Sequence, residues 1–161
     1  MNITNISVCP CNYSDPDQLT AIGTLMNAYI ADRMGGGEPL TPIKQLRLVD
    51  ALNNHPTAVV LLANVDGVYA GMLVAFENFS TFTVRPMLNI HDVIVLREYR
   101  NMGVGRRLME AIVAEGEKRR CSRITLEVRH DNAAAQKLYR SFGFGDVEPP
   151  MLYWRKALSG F

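Results

Sequence analysis

Residues Asn89 to Arg107, NIHDVIVLREYRNMGVGRR, restrict the fold more than any other stretch of the chain. Ile90 and Val93 to Leu96 form the β-branched apolar run of a central, buried strand. Gly103 and Gly105 mark a tight backbone turn, and a helix is expected to begin near Val104. Arg106 and Arg107 then fall in the first helical turn, where the macrodipole already carries about half a positive charge. Each misplaced cation costs roughly 0.3–1 kcal/mol at an exposed terminus. An anion bound on the free N–H groups would reverse that sign, so the turn reads as a phosphate cradle; a tight turn with solvated arginines explains the same residues without a ligand.

Other phosphate motifs fit less well. Leu108 stands where a dinucleotide fingerprint needs its third glycine, and no Lys-Ser/Thr pair follows a glycine loop. A nucleotide-binding domain of another kind is therefore disfavoured. The 161 residues carry a formal net charge of +1, with 48% hydrophobic and 20% charged residues, so the bulk charge offers no footprint for nucleic acid or an anionic membrane. Residues 1–18 lack a basic n-region and an apolar h-region, and no stretch approaches the roughly 20 apolar residues of a membrane span. The expectation is one cytoplasmic domain over residues 1–161. Cys9, Cys11 and Cys121 are odd in number, and with His55, His91 and His130 scattered, reduced structural thiols and no metal site are expected.

Taken in order, Ile3 to Val8 alternates as a first strand, stopped by Pro10. Asp15-Pro16-Asp17 opens a helix carrying Leu19, Ile22, Leu25, Met26 and Tyr29. Gly35-Gly36-Gly37 follows, either a flexible connector or a loop that closes on a substrate. A second helix is expected over Pro42–Asn53, then a hairpin of Ala58–Val65 and Val68–Phe76 around Asp66-Gly67. Phe79 and Phe82 sit on the following connection, where they either line an acceptor pocket or pack on the sheet. Beyond the glycine turn come a helix ending at Lys118 to Arg120, a strand over Ile124–Arg129, and a helix over Ala133–Phe142 capped by Asp131 or Asn132. A pair of strands, Phe144–Val147 and Met151–Leu158, would close the chain. The order β-α-α-β-β-β-α-β-α-β-β implies a three-layer α/β (α+β) domain with a mixed, mostly antiparallel sheet flanked by helices.

Arg100-Asn101-Met102-Gly103-Val104-Gly105 resembles the acyl-CoA motif Arg/Gln-x-x-Gly-x-Gly/Ala of the GNAT N-acetyltransferase superfamily. Leu126-Glu127-Val128, then Asn132 to Ala135, then Leu138-Tyr139 to Gly143-Phe144 are similar to segments of the bacterial ribosomal-protein N-terminal acetyltransferases, as is Tyr153-Trp154-Arg155-Lys156. The resemblance covers about Asn89 to Lys156. It implies a GNAT-like fold, with acetyl-CoA as cosubstrate and an amine as acceptor. By the same resemblance, backbone groups of Val93, Ile94 and Val95 would meet the pantetheine arm. Arg100, Asn101, Met102, Gly103, Val104, Gly105, Arg106 and Arg107 would hold the pyrophosphate, and Asn132 would contact the CoA arm. Glu127 matches the general base and Tyr139 the general acid.

Each assignment has a plainer alternative. Asn132 caps a helix with or without a ligand; Glu127 faces away from its strand's apolar side as a solvated carboxylate would; Tyr139 has the spacing of a packing aromatic. His91 and Asp92 are rival bases, because other members of the superfamily draw the base from the central strand. The chemistry asks for such a pair: an amine of pKa near ~10 lies about 4 kcal/mol from its nucleophilic form at pH 7, and the departing thiolate needs a proton. Direct attack needs no cysteine nucleophile. The favoured reading is direct transfer of acetyl from acetyl-CoA to a primary amine in a ternary complex. The alternative is a non-catalytic acyl-CoA-sensing or partner-binding module on the same fold. The acceptor stays open, and the C-terminal strands offer an edge on which a homodimer could form.

Overall fold

The run Ala58–Val65 is apolar at nearly every position, so both of its faces need cover. Both have it in the computed structural model of the chain, which describes residues 5–158. Strands β1 (Ile6–Pro10), β2 (Ala58–Val65), β3 (Val68–Ser80), β4 (Arg85–Val95) and β5 (Ile124–Leu126) form a five-stranded sheet in the order β1-β2-β3-β4-β5. Every neighbouring pair is antiparallel except β4 and β5, which run parallel. The β2–β3 turn uses Asp66 and Gly67 at φ 48° and 94°, the left-handed pair that a two-residue hairpin turn needs.

Helices α1 (Pro16–Ile30) and α2 (Pro42–Asn54) cover one face. Ala21, Ile22, Leu25 and Leu52 pack there on Val60, Leu62, Met72, Val74 and Ile94. Helix α3 (Val104–Lys118) covers the other, setting Val104, Leu108, Met109 and Ile112 against Val59, Leu61, Ala63, Leu73, Leu88 and Ile90. Alternate residues of β2 thus serve two cores. Gly71 lets α3 approach the sheet closely, since a Cβ there would stand 3.0 Å from Val104 Cγ1 and from the Ile94 carbonyl oxygen. The short helix α4 (Ala133–Arg140) follows β5, and Leu138 and Tyr139 pack at the margin of the second core. No helix among the described residues is long and apolar enough to cross a membrane.

The expected helix starts hold in detail. Asp15 accepts the Asp17 N–H at 3.0 Å, Thr41 that of Lys44 at 3.4 Å, and Asn132 that of Ala135 at 3.2 Å. The strands depart more. β1 lies at Ile6–Pro10, with Pro10 inside this edge strand, and Ile3 falls outside the described residues. β3 continues to Ser80 and β4 starts at Arg85, because the ladder runs on through Phe79↔Pro86 and Ser80↔Arg85. β5 stops at Leu126, where its pairing with β4 ends at Ile90, so Glu127 lies beyond the strand.

The two closing strands do not form: residues 144–158 are irregular. Met151, Leu152, Tyr153 and Trp154 are 75, 78, 74 and 82% exposed. A strand needs a ladder and one covered face. β5 offers an edge of only three residues, and Pro149-Pro150 lacks two donors ahead of the segment. The dimer edge that those strands were expected to supply is therefore not formed.

Candidate active site

Two irregularities open the sheet at one point. Val74 pairs with Asp92 and Ala75 with Ile90, so His91 is a bulge residue without a partner in β3. The parallel ladder to β5 ends at that same Ile90. From His91 onward β4 keeps β3 on one side and has no strand on the other. Ile94 turns its carbonyl toward β3, where Gly71 lies against it. Alternation then puts the carbonyls of Val93 and Val95 on the open side.

A cleft of about 740 Å³ fills the opening, lined along β4 by Val93 to Leu96 and across from them by Asn132, Ala135, Leu138 and Tyr139. One end is the turn before α3. Gly103, at φ 91°, is in the left-handed region that favours glycine, and Asn101 precedes it at φ 61°. Gly105 serves a different purpose from the turn read into it: a Cβ there would stand 3.2 Å from Leu138 Cδ2 and 3.8 Å from Val95 Cγ2, so it keeps the cleft floor open. The first bond across the helix start is Arg107 N–H to the Gly103 carbonyl, 3.0 Å, leaving the amides of residues 104–106 without a partner four residues back. A helix terminus of this form is able to hold an anion.

The arginines behave less simply than their charge implies. Arg100 donates from Nη2 to Asp32 at 2.8 Å and from Nε to the Val95 carbonyl at 3.1 Å. Arg106 lies over the Phe142 ring, 5.2 Å from its centroid, and donates to Ser141 Oγ at 3.2 Å. Arg107 pairs with Glu110 at 3.3 Å. Arg100, Asn101, Gly103, Gly105 and Arg106 line the cleft. The side chain of Val104 enters the core instead, and neither Met102 nor Arg107 reaches the cleft wall.

At the other end a second cavity of about 120 Å³ opens between β4 and the segment after β5. Tyr29, Met34, Val93, Asn132, Ala135 and Tyr139 line both spaces and so mark their junction. Glu127 and His91 line only the smaller cavity, and Asp92 lines neither. Burial pushes the Tyr139 phenol up to about 12, and Tyr29 adds to the effect. Tyr29 is raised too, by burial first and then by Asp92. Asp92 is itself raised by burial, against the favourable pull of His91 Nδ1 at 3.5 Å.

Tyr29, Asp32 and Met34 are site residues that sequence reading passed over. Tyr29 had the spacing of an ordinary helix-face residue. Asp32 carried a signal: an acid just past a helix C-terminus opposes the macrodipole and calls for an outside cation. Phe79, near the end of β3, and Phe82, in the turn after it, are 61 and 94% exposed and line neither cavity.

A profile of the acetyltransferase (GNAT) family matches residues 24–144. The chain belongs to that family. It is similar to the ribosomal protein bS18-alanine N-acetyltransferase of Escherichia coli (strain K12), 38% identical over 77 residues, which are 48% of this chain and 51% of that protein. It is also similar to the N-alpha-acetyltransferase RimI of Mycobacterium tuberculosis, 31% identical over 122 residues, 74% of this chain and 70% of that one. The chain spans about half the length of the first curated relatives it matches. Among solved structures, the crystal structure of a probable acetyltransferase superposes with a TM-score of 0.80 at 19% identity, covering 98% of this chain and 100% of its own. At that identity the likeness speaks to the fold alone, which the two share over nearly the whole chain.

Proposed function

We propose that the chain is a cytoplasmic, single-domain acetyltransferase that moves acetyl from acetyl-CoA directly to a primary amine in a ternary complex. The observation that carries this reading is the pair of cavities meeting at Tyr139. The long cleft has an anion-binding helix terminus at its far end, and the small cavity has room for an amine-bearing tip. In this reading the pyrophosphate lies on the amides at the start of α3, and the pantetheine arm follows β4 past Val95 and Val93. The thioester then reaches the junction between Val93, Asn132 and Tyr139.

Glu127, on the wall of the small cavity, is the proposed base that removes a proton from the incoming ammonium, through a water molecule. Attack on the thioester carbonyl forms the C–N bond, and collapse breaks the C–S bond. Tyr139 donates toward the departing sulfur. Its phenol, at about 12, stays protonated at any ordinary assay pH. Complete transfer to a thiol of pKa near ~8.5 is uphill by about 5 kcal/mol, so its contribution is a hydrogen bond that strengthens as charge develops on sulfur. The nitrogen gives up two protons on the way to the amide. One passes through the water to Glu127 and on to solvent, and the second is offset by the proton the departing thiolate takes up, so ammonium and acetyl-CoA become amide, free CoA and H⁺.

The test is a screen of primary amines, including alanine-initiated peptides and small polyamines, for release of free CoA. Binding of CoA with no turnover on any of them would favour the sensing module instead.

A further inference from the structure

The segment between α1 and α2 is not a loose linker, although it contains Gly35-Gly36-Gly37. The Gly35 N–H donates to the Asp32 carbonyl at 3.0 Å and the Gly36 N–H to the Ile30 carbonyl at 3.2 Å. A Cβ on Gly35 would collide with the Tyr29 carbonyl, so the turn folds directly under the last residues of α1. Its far end is tied back as well: Asn27 accepts the Leu40 N–H at 2.7 Å and donates to the Leu40 carbonyl at 3.1 Å.

One tie leaves this local set. Asp32 uses Oδ1 to accept the Met34 N–H at 2.9 Å and Oδ2 to accept Arg100 Nη2 at 2.8 Å, while Arg100 Nε holds the Val95 carbonyl at 3.1 Å. Three pieces of the site therefore meet on one guanidinium: the proposed pyrophosphate turn, the open edge of β4, and the turn carrying Met34, which walls both cavities. The Met34 N–H and then Arg100 hold the Asp32 carboxyl below its usual range, so the charge is present at any working pH.

We infer that Arg100 and Asp32 are positioning residues that link the donor turn to the wall of the acceptor cavity, so that filling the one orders the other. This deepens the acetyl-CoA reading and rests on it. Ordering residues 100–106 around a pyrophosphate restrains the Arg100 side chain, and through Asp32 it restrains the turn at Met34. Two ligands that share such an ordering cost bind cooperatively without a large change of shape.

Hydrogen exchange at Met34, Gly35 and Gly36, with and without CoA, tests the link with no need to know the acceptor. Asp32→Asn is the informative variant, because an amide oxygen keeps the Met34 bond and only the charged tie to Arg100 is lost; Arg100→Gln approaches the tie from the other side. CoA should slow exchange at these amides about fivefold or more in the wild-type chain, the lower end of ordinary coupling between sites, and leave it unchanged in both variants. Asn27→Ala separates the link from general loosening: it should speed exchange in the free protein yet keep the CoA effect. Equal slowing by CoA in wild type and Asp32→Asn overturns the link, as does CoA binding with no change at these amides in the wild type. Calorimetry on the wild-type chain distinguishes the other failure, since absence of CoA binding overturns the donor reading itself.

Discussion

The two ends of the cleft are built on different principles. The proposed donor end is a contiguous run, residues 100–106, that would work through its backbone: amides at the start of α3, a left-handed Gly103, and a Gly105 whose missing side chain keeps the floor open. The proposed acceptor end is made of side chains from α1, the turn after it, the β4 bulge, the segment past β5 and α4. A backbone site tolerates changes to what its side chains are and fails when a side chain is added. A side-chain site fails when one is removed.

This contrast sets the order of expected effects. Tyr139→Phe should cost about 10²–10³-fold in kcat, the usual range for losing one hydrogen-bond donor to a developing charge, with CoA affinity little changed because the ring still packs on Phe144. Single-turnover kinetics on an accepted amine decides it; near wild-type turnover, with chemistry rate-limiting, would remove Tyr139 from the mechanism. Glu127→Gln should cost about 10²-fold at pH 7 and less at pH 9, where more of the amine is already neutral. Should His91 or Asp92 variants show that alkaline rescue in place of Glu127→Gln, the base belongs to the β4 bulge.

The donor end should respond in the opposite way. Gly105→Val puts methyl groups where Leu138 and Val95 close on the cleft, so the rise in melting temperature caused by CoA should disappear while the free protein still folds. A preserved CoA shift would mean the pyrophosphate lies elsewhere. Truncating Arg107, paired with Glu110 outside the cleft, should change the CoA dissociation constant by less than about twofold, within the small worth of an exposed ion pair. Smallest of all is Phe82→Ala: the ring is at the hairpin tip and lines neither cavity, so acceptor KM should not move in a steady-state assay.

The tyrosines add a pH limit. Tyr13, Tyr29 and Tyr139 all titrate higher in the folded chain than the ordinary phenol, chiefly through burial, Tyr13 and Tyr139 at about 12. A raised acid stabilises the fold fully below its unfolded pKa of about 10 and loses that contribution as pH climbs through the folded value. Melting temperature should therefore hold steady up to about pH 10 and fall beyond it. A fall of activity between pH 8 and 9 would have to come from another group.

Much of this protein was legible from the chain alone, and the physical reason is locality. Period-3.6 patterns placed the helices, and a continuous apolar run ending at Asp66-Gly67 placed the β2–β3 hairpin, because each depends on residues a few positions apart. The Arg100–Gly105 run marked a tight glycine turn into a helix, because glycine geometry and helix starts are also local. The GNAT resemblance rested on those same short segments. What only the tertiary structure decided was everything that depends on which strand lies beside which. The ladder to β5 stops at Ile90, and that stop, with the bulge at His91, creates the cleft. Residues 144–158 alternate like strands yet stay irregular, because a strand exists only where an edge accepts it. Tyr29, Asp32 and Met34 join the site because α1 ends against β4, and the Arg100 guanidinium turns to Asp32 because that carboxylate, 68 residues earlier in the chain, stands 2.8 Å away.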